Sequence, residues 1–201
     1  MSQLSLFLDR CVTLLDRPTA KVTYWPACVP FDTADAWFAT LREEIDWQSD
    51  RRLMYDREVD VPRLMAGFRL DDPDVPATLI AAAAVIREQV DAPFNSVGLN
   101  LYRDGRDSVA AHHDRLGGLV VGEPIALLSL GGTRRMTISA QDRSISAQDR
   151  SIKPIHVELE SGSLLVMDYA SQLHFLHGIA KTKAPVAARI SLAFRVRKRD
   201  A

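Results

Sequence analysis

From residue 94 onward the apolar side chains recur at every second position instead of at helical spacing, and that change of period restricts the fold more than any other feature of the chain. In Asn95-Ser-Val-Gly-Leu-Asn-Leu-Tyr102, Val97, Leu99 and Leu101 share one face, while Gly98, Asn100 and Tyr102 share the other. Further strands are expected at 125–130, 134–139, 152–159, 163–168 and 189–197, with Gly105, Gly117-Gly118, Gly131-Gly132, Gly162 and Gly178 at or between their ends. The first half reads differently. Residues 31–46 carry Ala36, Phe38, Leu41 and Ile45 at helical spacing behind the cap candidates Asp32 and Thr33. Residues 75–91 repeat that pattern after Pro76, with Leu79, Ala82, Ala83, Ile86 and Val90 as the stripe. The polar stretch 48–74 reads as loop with short strands. Helices followed by many short strands predict an α+β, mainly β fold: a β-sandwich or jelly roll flanked by N-terminal helices.

With 201 residues, 47% of them hydrophobic, the chain can bury one substantial core, so a single domain over 1–201 is expected, with the jelly-roll core over 94–197 and its helical cover over 1–93. Lys and Arg number 25 against 26 Asp and Glu, which excludes a global basic field; a nucleic-acid partner would have to be held by a local patch. Arg134-Arg135, Lys181 with Lys183, and Arg195-Val-Arg-Lys-Arg199 are the candidates, the last being equally readable as a solvated terminus. Two cysteines, Cys11 and Cys28, are too few for a disulfide scaffold, which favours a reducing compartment. The opening apolar run is soon interrupted by charge, so no signal peptide or membrane span is expected, and the reading is a cytoplasmic monomer. The heptapeptide Ile138-Ser-Ala-Gln-Asp-Arg-Ser144 recurs at once as 145–151; it is too short for a solenoid unit and reads as a long exposed hairpin loop.

Chemistry enters through His112-His113-Asp114 and the later His177. On extended backbone, residues two apart project to the same side, so His112 and Asp114 can reach one cation and a later strand can bring His177 to it. Two imidazoles and one carboxylate leave coordination positions open and suit non-haem Fe(II). The bare triplet is equally compatible with a polar loop carrying a solvated histidine. Alternation points His113 away, His156 falls at an exposed strand position, and His174 stands close enough to His177 to replace it. In the last strand Arg189, Ser191, Ala193 and Arg195 share one face, opposite Ile190, Leu192, Phe194 and Val196. Two arginines among small residues imply an anion, and a dicarboxylate would satisfy them, unless the face is simply wet.

Taken in order, Asn100-Leu-Tyr102, Asp104-Gly105, His112-His-Asp114, Pro124-Ile125 leading to Ser129-Leu-Gly131, Gly162-Ser-Leu-Leu-Val-Met167, His177-Gly178 and Arg189 to Arg195 resemble the AlkB family of Fe(II)- and 2-oxoglutarate-dependent dioxygenases. Val61-Pro62-Arg63 resembles the family's upstream Pro-Arg element. The resemblance implies a double-stranded β-helix, with iron at His112, Asp114 and His177, which would be the catalytic centre. It places 2-oxoglutarate against Asn100, Tyr102, Arg189, Ser191 and Arg195, makes dioxygen the other co-substrate, and puts substrate-side loops in the region before residue 94. It implies oxidative demethylation of alkylated DNA or RNA bases, as in DNA alkylation repair, with Arg63, Phe68 and Arg115 as substrate-side candidates. Three departures stand out: Arg115-Leu116 follow the triplet where relatives carry acidic residues, Phe68 is the sole aromatic of 64–73, and Ser191 and Ala193 stand where many relatives have Asn and Thr. The alternatives are the same oxygenase acting on RNA, a protein side chain or a small molecule, or a non-catalytic jelly-roll binding or metal-storage protein.

Overall fold

A computed structural model describes residues 11–54, 57–141 and 153–198, with side chains throughout except at 50–54 and 57–60. The second heptapeptide and the last three residues of the first therefore lie outside the described residues. In chain order the elements are β1 Val12–Arg17, β2 Ala20–Trp25, α1 Phe31–Glu44, β3 Gln48–Met54, β4 Arg57–Arg69, α2 Ala77–Gln89, β5 Ser96–Tyr102, β6 Val109–His112, β7 Ile125–Gly131, β8 Arg134–Ala140, β9 Ile155–Leu159, β10 Leu164–Met167, the single turn α3 Ser171–His174, β11 Phe175–Ile179 and β12 Arg189–Arg195.

Two antiparallel sheets result. The large one has the order β1-β2-β10-β7-β12-β5-β4-β3 and the small one β6-β11-β8-β9. This is the expected jelly roll, and its helices lie where the spacing put them. Both begin one residue after a proline, Pro30 and Pro76, with no side-chain cap. Proline's fixed φ suits a helix start, so Asp32 and Thr33 are not the caps that the sequence suggested. Asp32 instead lies in the first turn, where its charge favours the helix dipole.

Two segments differ from expectation. Residues 48–69, expected as loop with short strands, are instead the long hairpin β3–β4, whose second strand pairs residue by residue with β5 from Leu64↔Leu101 to Arg69↔Ser96. The N-terminal hairpin β1–β2 was also unexpected, and it joins the large sheet through β2 against β10. Ala20, Val22 and Tyr24 are buried while Lys21 and Thr23 are not, the alternation of a strand with one wet face.

The large sheet separates two cores. Toward the helices, Val97, Leu99, Leu101, Leu128, Leu192 and Phe194 pack against Leu41, Leu79 and Ile86. Between the sheets lie Tyr102, Leu127, Met136, Ile138, Phe175 and Ala193. Both β7 and β12 are buried on both faces, so truncating Leu192 to alanine should cost about 2–5 kcal/mol. At Gly131, φ is +81° and an added Cβ would lie 2.6–2.8 Å from Ala188 O and the Phe38 ring, so glycine is what lets α1 close on β7. The architecture leaves the inward ends of β6, β11, β5 and β12 facing one another across the roll.

Candidate metal centre and anion pocket

His112, the last residue of β6, sits directly opposite His177 on β11. Their ring centroids are 4.5 Å apart. Asp114 follows two positions on, and one ligand atom from each of the three lies within 4.8 Å of the others. Close approach of the strands is what makes this possible. A Cβ on Gly178 would lie 2.9–3.0 Å from the Ala111 backbone, so the residue beside His177 must be glycine for β6 to come this near.

Each of the three side chains is held in a state that could bind a cation. The His112 Nδ1 lies 2.9 Å from the Ala110 carbonyl, which can only accept, so Nδ1 carries the proton and Nε2 keeps its lone pair. Burial, reinforced by the nearby His112, pushes His177 down to about 4, so its imidazole is neutral at physiological pH. For Asp114 burial opposes ionisation, but Arg195 beside it, with smaller contributions from the two imidazoles, holds its carboxyl below the usual range. The Arg195 Nε donates to Asp114 Oδ2 at 2.6 Å, and the Asp114 backbone N–H donates to Gln172 Oε1 at 3.0 Å. His113 is exposed with Nδ1 near the Asp114 carbonyl, and His174 is outside the cluster, which brings in His177 instead. His156 is exposed and bonds Thr137, as alternation required.

The arginine face of β12 is not wet. Arg189 is 0% exposed, and its Nη2 donates to Ser129 Oγ at 2.8 Å. Among the described residues its Nε and Nη1 are buried without a hydrogen bond. The guanidinium carbon lies 5.4 Å from the centroid of the Tyr102 ring, whose other neighbour, Arg134, is at 5.6 Å. Burial pulls Arg189 down to about 10, partly offset by Tyr102. Tyr102 is itself raised by burial, against the pull of Arg189. A buried guanidinium with two bare donors is costly until an anion reaches it, and each charge-assisted bond so formed contributes about 1.5–3 kcal/mol. Ser191, also buried, pairs across the sheet with Asn100 and Ser129. Asn100 Oδ1 accepts from Arg63 Nε at 2.7 Å. Opposite Ala193, Gly98 leaves a slot for Arg195, whose Nη1 would lie 3.1 Å from any Cβ there.

Above this floor opens a cleft of about 720 Å³, with His112, Asp114 and Arg195 at its base, Met65 and Val109 on its walls, and Arg63, Arg115, Lys181 and Arg197 around it. Of the substrate-side candidates, Arg63 and Arg115 thus line the cleft and Phe68 does not. Leu64, Ala66 and Phe68 face the helix-side core, and Met65 occupies the site-facing position instead. The Arg134-Arg135 patch also dissolves. Arg134 is buried, donating to the carbonyls of Asp104, Asp107 and Ala180, and Arg135 pairs with Glu158 at 2.5 Å. Gln172 and Met65 were missed by sequence reasoning, and Ser129 was quoted only within its motif, with no role at the site. Only Met65 carried a signal, since alternation along 63–67 sets it beside Arg63 and away from Leu64.

Comparison with known proteins gives the following. Residues 70–195 match the family model described as the 2OG-Fe(II) oxygenase superfamily. The DNA oxidative demethylase ALKBH2 of Bos taurus is 33% identical over 102 residues, which cover 51% of this chain and 37% of that protein. The alpha-ketoglutarate-dependent dioxygenase alkB homolog 3 of Bos taurus is 28% identical over 188 residues, covering 88% of this chain and 66% of that one. The chain therefore spans less than two fifths of the length of the first relative and about two thirds of the second. Among solved structures, a prolyl-4-hydroxylase of Pseudomonas putida aligns with a TM-score of 0.57 at 16% identity, over 88% of this chain and 93% of that one. The structure of OsALKBH1 aligns with a TM-score of 0.56 at 16% identity, over 92% and 100%. At such identity these two speak for the fold alone. The donor set fits what such a family would bind: two imidazoles and a carboxylate for Fe(II), and the bare donors of Arg189 for the far carboxylate of 2-oxoglutarate.

Proposed function

The chain belongs to the 2OG-Fe(II) oxygenase superfamily, with AlkB-like relatives, and from that premise we propose that it is an iron- and 2-oxoglutarate-dependent dioxygenase that oxidatively demethylates alkylated bases in nucleic acid. The observation that carries the oxygenase reading is Arg189, a fully buried guanidinium with two donors unpartnered among the described residues, behind a His-Asp-His cluster. A metal-storage or structural jelly roll gives no reason to keep such a charge in its core.

His112, Asp114 and His177 would hold the iron, and Arg189, Tyr102, Ser191 and Asn100 would receive the dicarboxylate. When bound, iron with 2-oxoglutarate and dioxygen supplies the oxidation that turns an N-methyl group into N-hydroxymethyl, one oxygen atom entering the product and the other succinate as carbon dioxide leaves. The protein's part is orientation and charge. Arg195 keeps Asp114 ionised and aimed, Gln172 fixes its backbone, and the Ala110 carbonyl sets the tautomer of His112. Neutral His177 presents a lone pair without first losing a proton. Leu127, Met136 and Ile179 close the inner end of the pocket to water. The cation-rich mouth suits a phosphate backbone that positions the strand without reading its sequence.

The test is iron- and oxygen-dependent succinate release from 2-oxoglutarate, followed by a screen of methylated DNA and RNA oligonucleotides for formaldehyde, which the hydroxymethyl product expels. Succinate without formaldehyde from any oligonucleotide would retain the oxygenase and transfer its substrate to a protein side chain or small molecule. Absence of both would return the chain to the binding-protein alternative.

A further inference from the structure

We propose that the alkylated base admitted to this cleft is electrically neutral, and that cationic bases such as 3-methylcytosine and 1-methyladenine are disfavoured; the inference rests on the nucleic-acid reading above. It starts from the charges lining the cleft. Among the described residues, Asp114 is the cleft's single carboxylate, and it is already engaged by Arg195 and assigned to the metal. Around it stand Arg63, Arg115, Lys181, Arg195 and Arg197. Arg115, Lys181 and Arg197 are exposed, and no ion pair neutralises any of the three among the described residues.

A cation entering such a space would need either an acceptor of opposite charge or the face of an aromatic ring. The described lining offers neither. Its only rings are the imidazoles of His112 and His113, the first assigned to the metal and the second bonded to the Asp114 carbonyl. Phe68, which could have stacked on a base, faces the opposite side of the sheet. With the exposed Arg115, Lys181 and Arg197 repelling a positive base and attracting the phosphates that carry it, the cleft separates the two parts of its substrate: strand phosphates at the rim, an uncharged N-alkyl base at the centre.

Two pairs of lesions isolate the charge while holding shape nearly fixed. 3-Methylthymine and 1-methylguanine are neutral at pH 7, whereas 3-methylcytosine and 1-methyladenine are cationic. Each is placed in the same single-stranded sequence, and two readouts are taken: binding by fluorescence anisotropy to the metal-free protein, and formaldehyde release per unit time from the iron-loaded one. The neutral member of each pair should be favoured by tenfold or more in kcat/KM, and Arg115→Glu or Lys181→Glu should shift that ratio toward the cationic member by about tenfold. Because the readout is a ratio between lesions, a general loss of folding or activity in a variant cancels. A wild-type preference for the cationic members, or a ratio that neither substitution moves, overturns the inference and leaves the nucleic-acid reading standing. If no oligonucleotide binds and none is demethylated, the nucleic-acid reading fails and the inference falls with it.

Discussion

Replacing Arg189 with methionine should stabilise the empty protein and cripple its binding of 2-oxoglutarate, and the opposite signs make the experiment decisive. In the free protein the guanidinium is fully buried, and its depression by burial to about 10 corresponds to a penalty on the order of 3 kcal/mol against the charged form. Methionine fills a similar volume without charge, but strands Ser129 Oγ, which loses one hydrogen bond of about 1 kcal/mol. The balance is a gain of about 2 kcal/mol, or a Tm higher by about 4–8 °C for a chain of this size. With ligand the order reverses. The two bare donors would each make a charge-assisted bond of about 1.5–3 kcal/mol to the dicarboxylate, so their loss weakens 2-oxoglutarate by at least about a hundredfold. Thermal unfolding of both proteins, with and without 2-oxoglutarate in the presence of Zn(II) as an inert substitute for iron, reads both effects. A variant that melts lower than the parent and keeps its full ligand-induced shift would refute the reasoning.

Three further outcomes follow from the centre. His112→Ala, Asp114→Ala and His177→Ala should each abolish Co(II) binding and succinate release, while His113→Ala and His174→Ala stay near the parent in both assays. Gly178→Ala places a methyl 2.9–3.0 Å from the β6 backbone, so Co(II) affinity should fall and stability drop by about 1–3 kcal/mol, whereas Gly117→Ala, with nothing within 4 Å, should be silent. His177 is neutral in the fold down to about 4 but takes a proton near 6.5 once unfolded, so its contribution to the unfolding free energy of the metal-free protein, read from urea titrations, should be flat above pH 6.5 and fall by about 3 kcal/mol between there and pH 4. In His177→Gln that loss should be much reduced; an unchanged pH dependence would detach it from this residue.

The centre was legible in the sequence because strand alternation is a strict geometric rule. His112 and Asp114 two apart, and Arg189 through Arg195 in one parity, could be placed before any coordinates, and each side chain is found on the face that parity assigns. The same rule was available for 63–68, where it separates Arg63 and Met65 from Leu64, Ala66 and Phe68; Pro62 and the neighbouring charges disguised a strand as loop, and Phe68 was sent to the wrong side of the sheet. Arg134 shows another limit. A doublet of arginines reads as surface charge, and only tertiary contact shows that one of the pair is an internal brace on three carbonyls. Gln172 could not have been found at all, since its role depends on α3 lying against Asp114, a contact spanning 58 positions.

The position of His112 at the end of β6 has a consequence for how the molecule breathes. With four residues and, among the described residues, β11 alone beside it, β6 forms the border of the small sheet, and its ladder is irregular between His177 and Ile179. Such a border is the part of a sheet most ready to fray. A cation gripped by His112 and Asp114 on one side and His177 on the other would act as a rivet through that seam, so that loading the centre and tightening the margin of the sheet become one event. Amide exchange at Val109 to His112 would then serve as a gauge of occupancy, readable without any turnover.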